Sequence, residues 1–137
     1  MNIEAVVAIS AAAVPLLRSQ RSGAIVNISS GLANAPKKSA PVYCASEAAV
    51  RIFTRALRYQ CEDQASHVRV VDAVLPLVDT DMTRGRGRGK IAPEAAAAAI
   101  IEGLRRDRVE IHVGKSALLR RLMRLAPSLA YRRLRDS

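Results

Sequence analysis

The sequence predicts an α/β fold with a parallel sheet of about three strands and helices on both of its faces. Three short segments rich in Val and Ile each follow a longer segment with helical spacing of apolar residues. The order along the chain is helix, strand, helix, strand, helix, strand, helix, which is typical of parallel sheets. With 137 residues, a single domain over 1–137 is expected.

The first helix and the first strand are separated by a glycine. Residues 3–21 have apolar residues at helical spacing, and Gly23 is the stop signal. Pro15 should bend this helix, because proline cannot donate the helical hydrogen bond. The β-branched segment 24–28 then predicts a buried parallel strand, followed by a polar loop over 29–41.

A long second helix and a second strand come next. The helix is predicted over 42–61, and the strand over 68–75 is ended by Pro76. The apolar face of this helix is expected to contain six residues: Ala48, Ala49, Ile52, Phe53, Ala56 and Leu57.

The last third of the chain repeats the alternation and then turns basic. A helix starting at Pro93 is predicted to end near Arg106, and the segment 109–113 predicts a third strand. Two short basic helices are expected over 118–125 and 128–134.

The formal net charge of +10 suggests an acidic partner, but the charge is unevenly placed. It collects in 84–90 (RGRGRGK) and in the tail 120–135. The first segment has no interleaved aromatic residues, so a mobile, solvated basic loop is the better interpretation than nucleic-acid binding. A solvated basic face is likewise commoner than a lipid-binding one for the tail.

Targeting and metal-binding signals are weak. The apolar start has no basic leader region and is interrupted by Pro15, so we interpret it as a helix of the domain. Cys44 and Cys61 have no metal-ligand spacing and are too few for a disulfide framework. A reducing, cytoplasmic location is the expectation, and no metal site is predicted.

One spacing points to chemistry. Ser30 lies just past the first predicted strand, Tyr43 comes thirteen residues later, and Glu47 lies four residues beyond it. Tyr43 and Glu47 are therefore one helical turn apart on one helix face. Ser30 would lie at the carboxyl end of a strand, where parallel α/β sheets bind ligands.

This pattern resembles the short-chain dehydrogenase/reductase family, in which a serine is followed by a tyrosine and, four residues on, a lysine. Ser30 and Tyr43 match, and Glu47 stands at the lysine position. Asn2 matches the asparagine that the family places on the preceding helix. The segment PLVDTDMT matches the loop after the next strand at Pro76 and Thr80, which are expected to be residual cofactor-binding positions.

The resemblance covers nearly the whole chain, as the C-terminal half of the family's fold, and is closest to the DltE-type branch of bacterial oxidoreductases. It implies a partial Rossmann-type doubly wound sheet that lacks the N-terminal dinucleotide-binding βαβ unit. It also implies NAD- or NADP-dependent interconversion of carbonyls and alcohols. In such a reaction the tyrosine moves the proton, the serine holds the substrate oxygen, and the asparagine supports a proton-relay water.

Two departures from the family pattern predict that the chain is a truncated and inactive relative. A carboxylate at position 47 disfavours the tyrosinate that the family's lysine would stabilise. No glycine-rich G-x-x-x-G-x-G turn occurs in the sequence, so binding of NAD or NADP by this chain alone is not expected.

Two alternatives to an enzyme remain open at this stage. One is a non-catalytic interaction module, forming a homo-oligomer through the helices 3–21 and 42–61 or through the exposed edge of the first strand. The other is a basic binder of nucleic acid or membrane surfaces, which the charge distribution makes the weaker alternative.

Overall fold

The computed structural model describes residues 2–85 and 87–136, with Asn2 described in its backbone only. Two short 3-10 turns, Gly31–Ala33 and Asp81–Thr83, follow the first two strands. The helices and strands, in chain order, are α1 Asn2–Arg18, β1 Gly23–Ser30, α2 Pro41–Gln64, β2 Val68–Leu75, α3 Pro93–Arg105, β3 Glu110–His112, α4 Lys115–Leu125 and α5 Pro127–Arg135.

The three strands form one parallel sheet in the order β1-β2-β3. β1 and β2 pair over their full lengths, from Gly23 opposite Val68 to Ser30 opposite Leu75. The central strand β2 is almost entirely buried, as expected for a parallel strand covered on both faces. The predicted fold class is therefore confirmed, and the carboxyl ends of β1 and β2 lie side by side.

Helices cover both faces of this sheet. Ile25 and Val70 are opposite one another and pack with residues of α1 and α2. Their strand neighbours Val26 and Val71 point to the other face, where Ile111 and apolar residues of α3 join them. Because side chains alternate along a strand, the two clusters form two separate core layers, one on each side of the sheet.

β1 is longer than predicted, and this changes where Ser30 lies. The expected strand ended at residue 28, but the ladder with β2 continues through Ser29 and Ser30. The hydroxyl of Ser29 is buried and donates a 2.6 Å hydrogen bond to Asp72 Oδ1 on β2. A polar residue can occupy this buried position because its hydroxyl has a partner.

The apolar residues predicted the buried face of α2 only in part, since Leu57 is buried as expected. Ile52, expected in the core, is 67% exposed, whereas Glu47, Thr54 and Arg58 are buried. Arg58 Nε donates to the Val70 carbonyl at 2.7 Å. Hydrophobicity therefore marks only part of the inner face of α2, because some polar side chains there bond to the strands beneath them.

Among the described residues, no helix is long and apolar enough to cross a membrane. In the same part of the chain, no group of three or more His, Cys, Asp or Glu side chains is arranged to hold a metal ion. Both cysteines are buried as free thiols.

Candidate active site

The candidate site lies at the carboxyl end of the sheet, where β1 gives way to a turn. Ser30 is the last residue of β1, and its Oγ accepts a hydrogen bond from the backbone N–H of Leu32 at 3.2 Å. This bond caps the 3-10 turn Gly31–Ala33 and fixes the Ser30 side chain. The Ser30 hydroxyl proton remains available to a partner, since a serine hydroxyl can donate one bond while accepting others.

Tyr43 is that partner. It lies in the first turn of α2, which begins at Pro41, a residue suited to a helix start because its missing N–H would have no helical acceptor. The Tyr43 hydroxyl is within hydrogen-bonding reach of the Ser30 side chain. Tyr43 is only half-buried, being 45% exposed.

Glu47 lies one helical turn beyond Tyr43 and faces the same hydroxyl. It is 4% exposed, and its carboxylate is within hydrogen-bonding reach of Tyr43. The spacing of four residues along a helix brings the two side chains together, as the sequence predicted. The structure therefore groups Ser30, Tyr43 and Glu47 at one point.

The electrostatics of this group hold Tyr43 in its protonated form. Burial raises the pKa of the Tyr43 hydroxyl, and the negative charge of Glu47 raises it further. The Ser30 hydroxyl opposes this by stabilising the phenolate, but the net pKa of Tyr43 stays above its usual range.

The two residues predicted to contact a cofactor, Pro76 and Thr80, follow β2 in the chain. Pro76 directly follows β2, and Leu75 is opposite Ser30, so Pro76 lies at the same edge of the sheet as the hydroxyl pair. Thr80 is exposed and precedes the turn Asp81–Thr83, where its backbone N–H bonds to Thr83 Oγ1 at 3.0 Å. Among the described residues, neither side chain forms a hydrogen bond with Tyr43. Their role in binding a cofactor stays a prediction.

Asn2 and the basic loop 84–90 are only partly described. The backbone of Asn2 belongs to α1, but its side chain lies outside the described residues. Arg86 lies outside them too. At the two ends of the loop, Arg84 pairs with Asp81, and Lys90 Nζ contacts Asp79 Oδ1 at 3.0 Å.

The residues present do not suit a nicotinamide dinucleotide as they stand. The position at which the family pattern has a lysine holds the buried Glu47, whose charge acts on Tyr43. The sequence also contains no glycine-rich strand-to-helix turn whose N–H groups could hold a pyrophosphate. What the group can do is position a carbonyl or hydroxyl oxygen between Ser30 and Tyr43.

Sequence reasoning missed a second polar cluster beside this site. Asp72, 3% exposed, accepts bonds from Ser29 and from Arg51 Nε at 2.7 Å. Arg51 also bonds to Asn34 Oδ1 and lies 3.7 Å from Glu110. A buried Asp within an apolar strand was the one available signal, because such a charge requires a partner.

Comparison with known proteins identifies the family. The family model described as short chain dehydrogenase matches residues 1–90, more than half of the chain. This chain belongs to the short-chain dehydrogenase family. Among curated proteins, it is 36% identical over 118 residues to the uncharacterized oxidoreductase DltE of Bacillus subtilis, covering 81% of this chain and 46% of that protein. The predicted family resemblance is thus confirmed.

Solved structures support the same fold. A short-chain dehydrogenase from Burkholderia cenocepacia in complex with NADP superimposes with a TM-score of 0.89 at 27% identity, covering 97% of this chain and 55% of that one. A short-chain dehydrogenase from Sphingobium yanoikuyae in complex with NADPH gives a TM-score of 0.72 at 22% identity, covering 81% and 45%. The chain spans about half the length of the relatives it matches.

Proposed function

We propose that this chain carries the proton-transfer hydroxyl pair of an NAD(P)-dependent carbonyl–alcohol oxidoreductase fold, and that the 137-residue chain alone does not catalyse that reaction. One observation carries the proposal: the buried carboxylate of Glu47 lies beside the Tyr43 hydroxyl. Membership of the short-chain dehydrogenase family supports the oxidoreductase class.

The proposed inactivity follows from the proton transfer that the reaction needs between the tyrosine hydroxyl and the substrate oxygen. Reduction of a carbonyl requires the tyrosine hydroxyl to give its proton to the substrate oxygen, and oxidation requires it to take one back. Glu47 competes as the acceptor of the Tyr43 proton, and it raises the pKa of Tyr43 where a catalytic cation would lower it. Ser30 can still bind a substrate oxygen. Binding of that oxygen is therefore expected to persist although proton transfer is lost.

The cofactor part of the proposal rests on relatives and on sequence. Two similar short-chain dehydrogenases have structures with NADP or NADPH, which supports a nicotinamide cofactor for the family's reaction. Against binding by this chain alone stand Glu47 and the lack of a glycine-rich phosphate-binding turn in its sequence. Pro76 and Thr80 are proposed as the residual cofactor contacts.

The test titrates NADH and NADPH into the full chain and into Glu47→Lys, following nicotinamide fluorescence and heat. We expect no saturable binding and no reduction of aromatic ketones or aldehydes by the unmodified chain. Glu47→Lys should lower the Tyr43 pKa without creating dinucleotide binding, because one ammonium does not replace a phosphate-binding turn. Saturable binding of either cofactor by the unmodified chain, or turnover of a carbonyl, would refute the inactivity.

A second candidate function is self-association through α1 and α2. Exposed apolar side chains on these helices support it: Val7, Ile9, Leu16 and Ile52 are 39%, 69%, 69% and 67% exposed. β1 contributes Ile28, which is 45% exposed on the edge strand of the sheet. Exposed apolar residues that form a large patch are typical of association surfaces, and Ile9 and Leu16 share one side of α1.

Sedimentation of the chain and of Ile9→Asp tests this association. We expect a dimer or larger species that Ile9→Asp converts to monomer, whereas Leu118→Asp, a matched change at a 67% exposed leucine on α4, leaves it associated. A monomeric unmodified chain would rule out self-association.

A cytoplasmic location is proposed as well, with the two buried free thiols as its support.

A further inference from the structure

A cavity of about 410 Å³ lies at the polar cluster of Arg51 and Asn34, beside the candidate active site. Its walls come from the turn after β1, the middle of α2, the strand β3 and the outer part of α4. Ser30, Tyr43 and Glu47 are not among its lining residues. Its volume falls within the range of sites that hold small molecules.

The cavity is strongly basic. Its lining includes four arginines and one carboxylate, that of Glu110; the arginines are Arg51, Arg55, Arg120 and Arg124. Glu110 Oε1 is 2.7 Å from Arg55 Nη2, and Glu110 Oε2 is 3.7 Å from both Arg51 and Arg120. Within the described chain, Arg124 has no ion-pair partner. The cavity therefore keeps a net positive charge after the ion pairs between its arginines and Glu110 are taken into account.

Two buried polar atoms of lining residues lack partners. Within the described part of the chain, Asn34 Nδ2 and His112 Nδ1 make no hydrogen bond. The His112 side chain is only 5% exposed. An unpaired buried polar atom costs free energy. Both atoms are enclosed by the surrounding chain, so they lie behind the cavity wall rather than on its surface.

The charge state of the cavity follows from its neighbours. Burial lowers the pKa of His112, and Arg120 and Arg51 lower it further against the opposing effect of Glu110, so the imidazole is neutral. Burial alone would raise the pKa of Glu110, but the bond from Arg55 and the charge of Arg51 bring it below its usual range. Glu110 is therefore ionised, and the arginines still outnumber it.

One wall of the cavity is apolar. Ala48 and Ile52 on α2 and Met123 on α4 line it. Ile52 is 67% exposed, although it lies in a concave region where an apolar ligand group would cover it. A ligand matched to this cavity combines an anionic group with an apolar body.

We propose that this cavity binds a small organic anion, a phosphate monoester or a carboxylate, with Arg120 and Arg124 contacting the anionic group and Ile52 and Met123 the apolar body. Guanidinium groups bind phosphate and carboxylate through paired hydrogen bonds. The Arg120 side chain is 50% exposed and Arg124 is also exposed, and their ion pairing is long or absent within the described chain, so both are free to turn towards a ligand. Arg51, which is occupied with Asp72, holds the inner wall.

The test is calorimetric titration of the full chain with phenyl phosphate, benzoate and inorganic phosphate at moderate salt. Phenyl phosphate or benzoate should bind with one-to-one stoichiometry and at least about tenfold more tightly than inorganic phosphate, because the apolar wall adds to the binding. The tighter of the two organic probes identifies the anionic group.

Arg124→Gln should weaken that binding about tenfold, because it removes a charged hydrogen-bond donor. The matched control is Arg105→Gln on α3, which makes the same charge change away from the cavity and should alter the affinity less than about twofold under screening salt. Equal losses in the two variants, no saturable binding, or no preference for an organic anion over inorganic phosphate would each overturn the proposal.

Discussion

Glu47 lies one turn beyond Tyr43 on α2, with its buried carboxylate within hydrogen-bonding reach of the tyrosine hydroxyl. The pair keeps Tyr43 protonated, since burial and the Glu47 charge both raise its pKa. In the family pattern a lysine at this position would have the opposite effect. Burial and the Glu47 charge thus act together against loss of the hydroxyl proton near neutral pH.

Removing the charge of Glu47 should lower the pKa of Tyr43. Glu47→Gln retains the shape of the side chain and eliminates the charge repulsion, while burial of Tyr43 persists. The measurement is a pH titration of tyrosine ultraviolet absorbance, with the curve of Tyr43→Phe subtracted to remove the other tyrosines. Glu62→Gln, an exposed change on the same helix, is the control and should leave the curve unchanged. An unaltered Tyr43 titration in Glu47→Gln would show that the carboxylate does not act on it.

Thr54→Val should destabilise the fold by about 1–3 kcal/mol, although the two side chains have similar shapes. Thr54 is fully buried, accepts a 2.9 Å bond from Asn27 Nδ2 and donates a 2.7 Å bond to the Val50 carbonyl. Valine leaves the buried Asn27 amide without its acceptor. Denaturant unfolding measures the change in the free energy of unfolding.

A double-mutant cycle assigns that loss to the hydrogen bond. In an Asn27→Ala background, Thr54→Val should cost less, because the amide donor has already been removed. Equal costs in the two backgrounds would mean that the Asn27–Thr54 bond contributes nothing measurable to stability.

Gly103→Ala should lower the melting temperature, despite alanine being the better helix former by about 1 kcal/mol. A Cβ at this buried position of α3 would lie 2.6 Å from Ile111 Cδ1 and 2.9 Å from its Cγ2. Overpacking of a core typically costs about 1–3 kcal/mol. Thermal unfolding of Gly103→Ala, Ile111→Ala and the double variant measures it; the double variant should be more stable than the sum of the single losses predicts. A raised melting temperature in Gly103→Ala would contradict the close packing of α3 on β3.

The free energy of unfolding should decrease as the pH is lowered below about 6.5, the ordinary pKa of histidine. The reason is that His112 is held neutral in the fold. The pKa of His112 is lowered by burial, so the unfolded chain binds the proton first, and stability is lost as pH falls towards the folded pKa. The lowered pKa of Glu110 acts in the same direction below about 4.5.

Free energies of unfolding measured from pH 8 to 4 for His112→Gln should show a flatter dependence near pH 6 than the unmodified chain. His67→Gln, at an exposed histidine, is the matched control and should retain the original slope. An unchanged slope in His112→Gln would assign the pH dependence to other groups.

Local spacing was enough to predict the sheet strands and the position of Glu47 one helical turn from Tyr43, whereas the pairing of Ser30 with Tyr43 was implied by the family resemblance. β-branched runs mark the buried strands, and four residues along a helix bring two side chains together whatever the surroundings. The inner face of α2 could not be predicted in this way. Thr54 and Arg58 are buried because acceptors or donors on β1 and β2 lie opposite them, and a hydrophobicity pattern does not report those partners.

The sequence by itself determined the family, the fold class, and the carboxylate at position 47 next to a candidate proton-transfer tyrosine, because each depends on residues close together along the chain. Only the tertiary structure showed that the basic cavity exists and which residues line it. Asn34, Arg51, His112 and Arg124 come from four elements separated by many residues, and packing of α2, β3 and α4 around the sheet edge brings them together. Contacts between distant segments depend on how helices cross the sheet, which no local pattern of residues specifies.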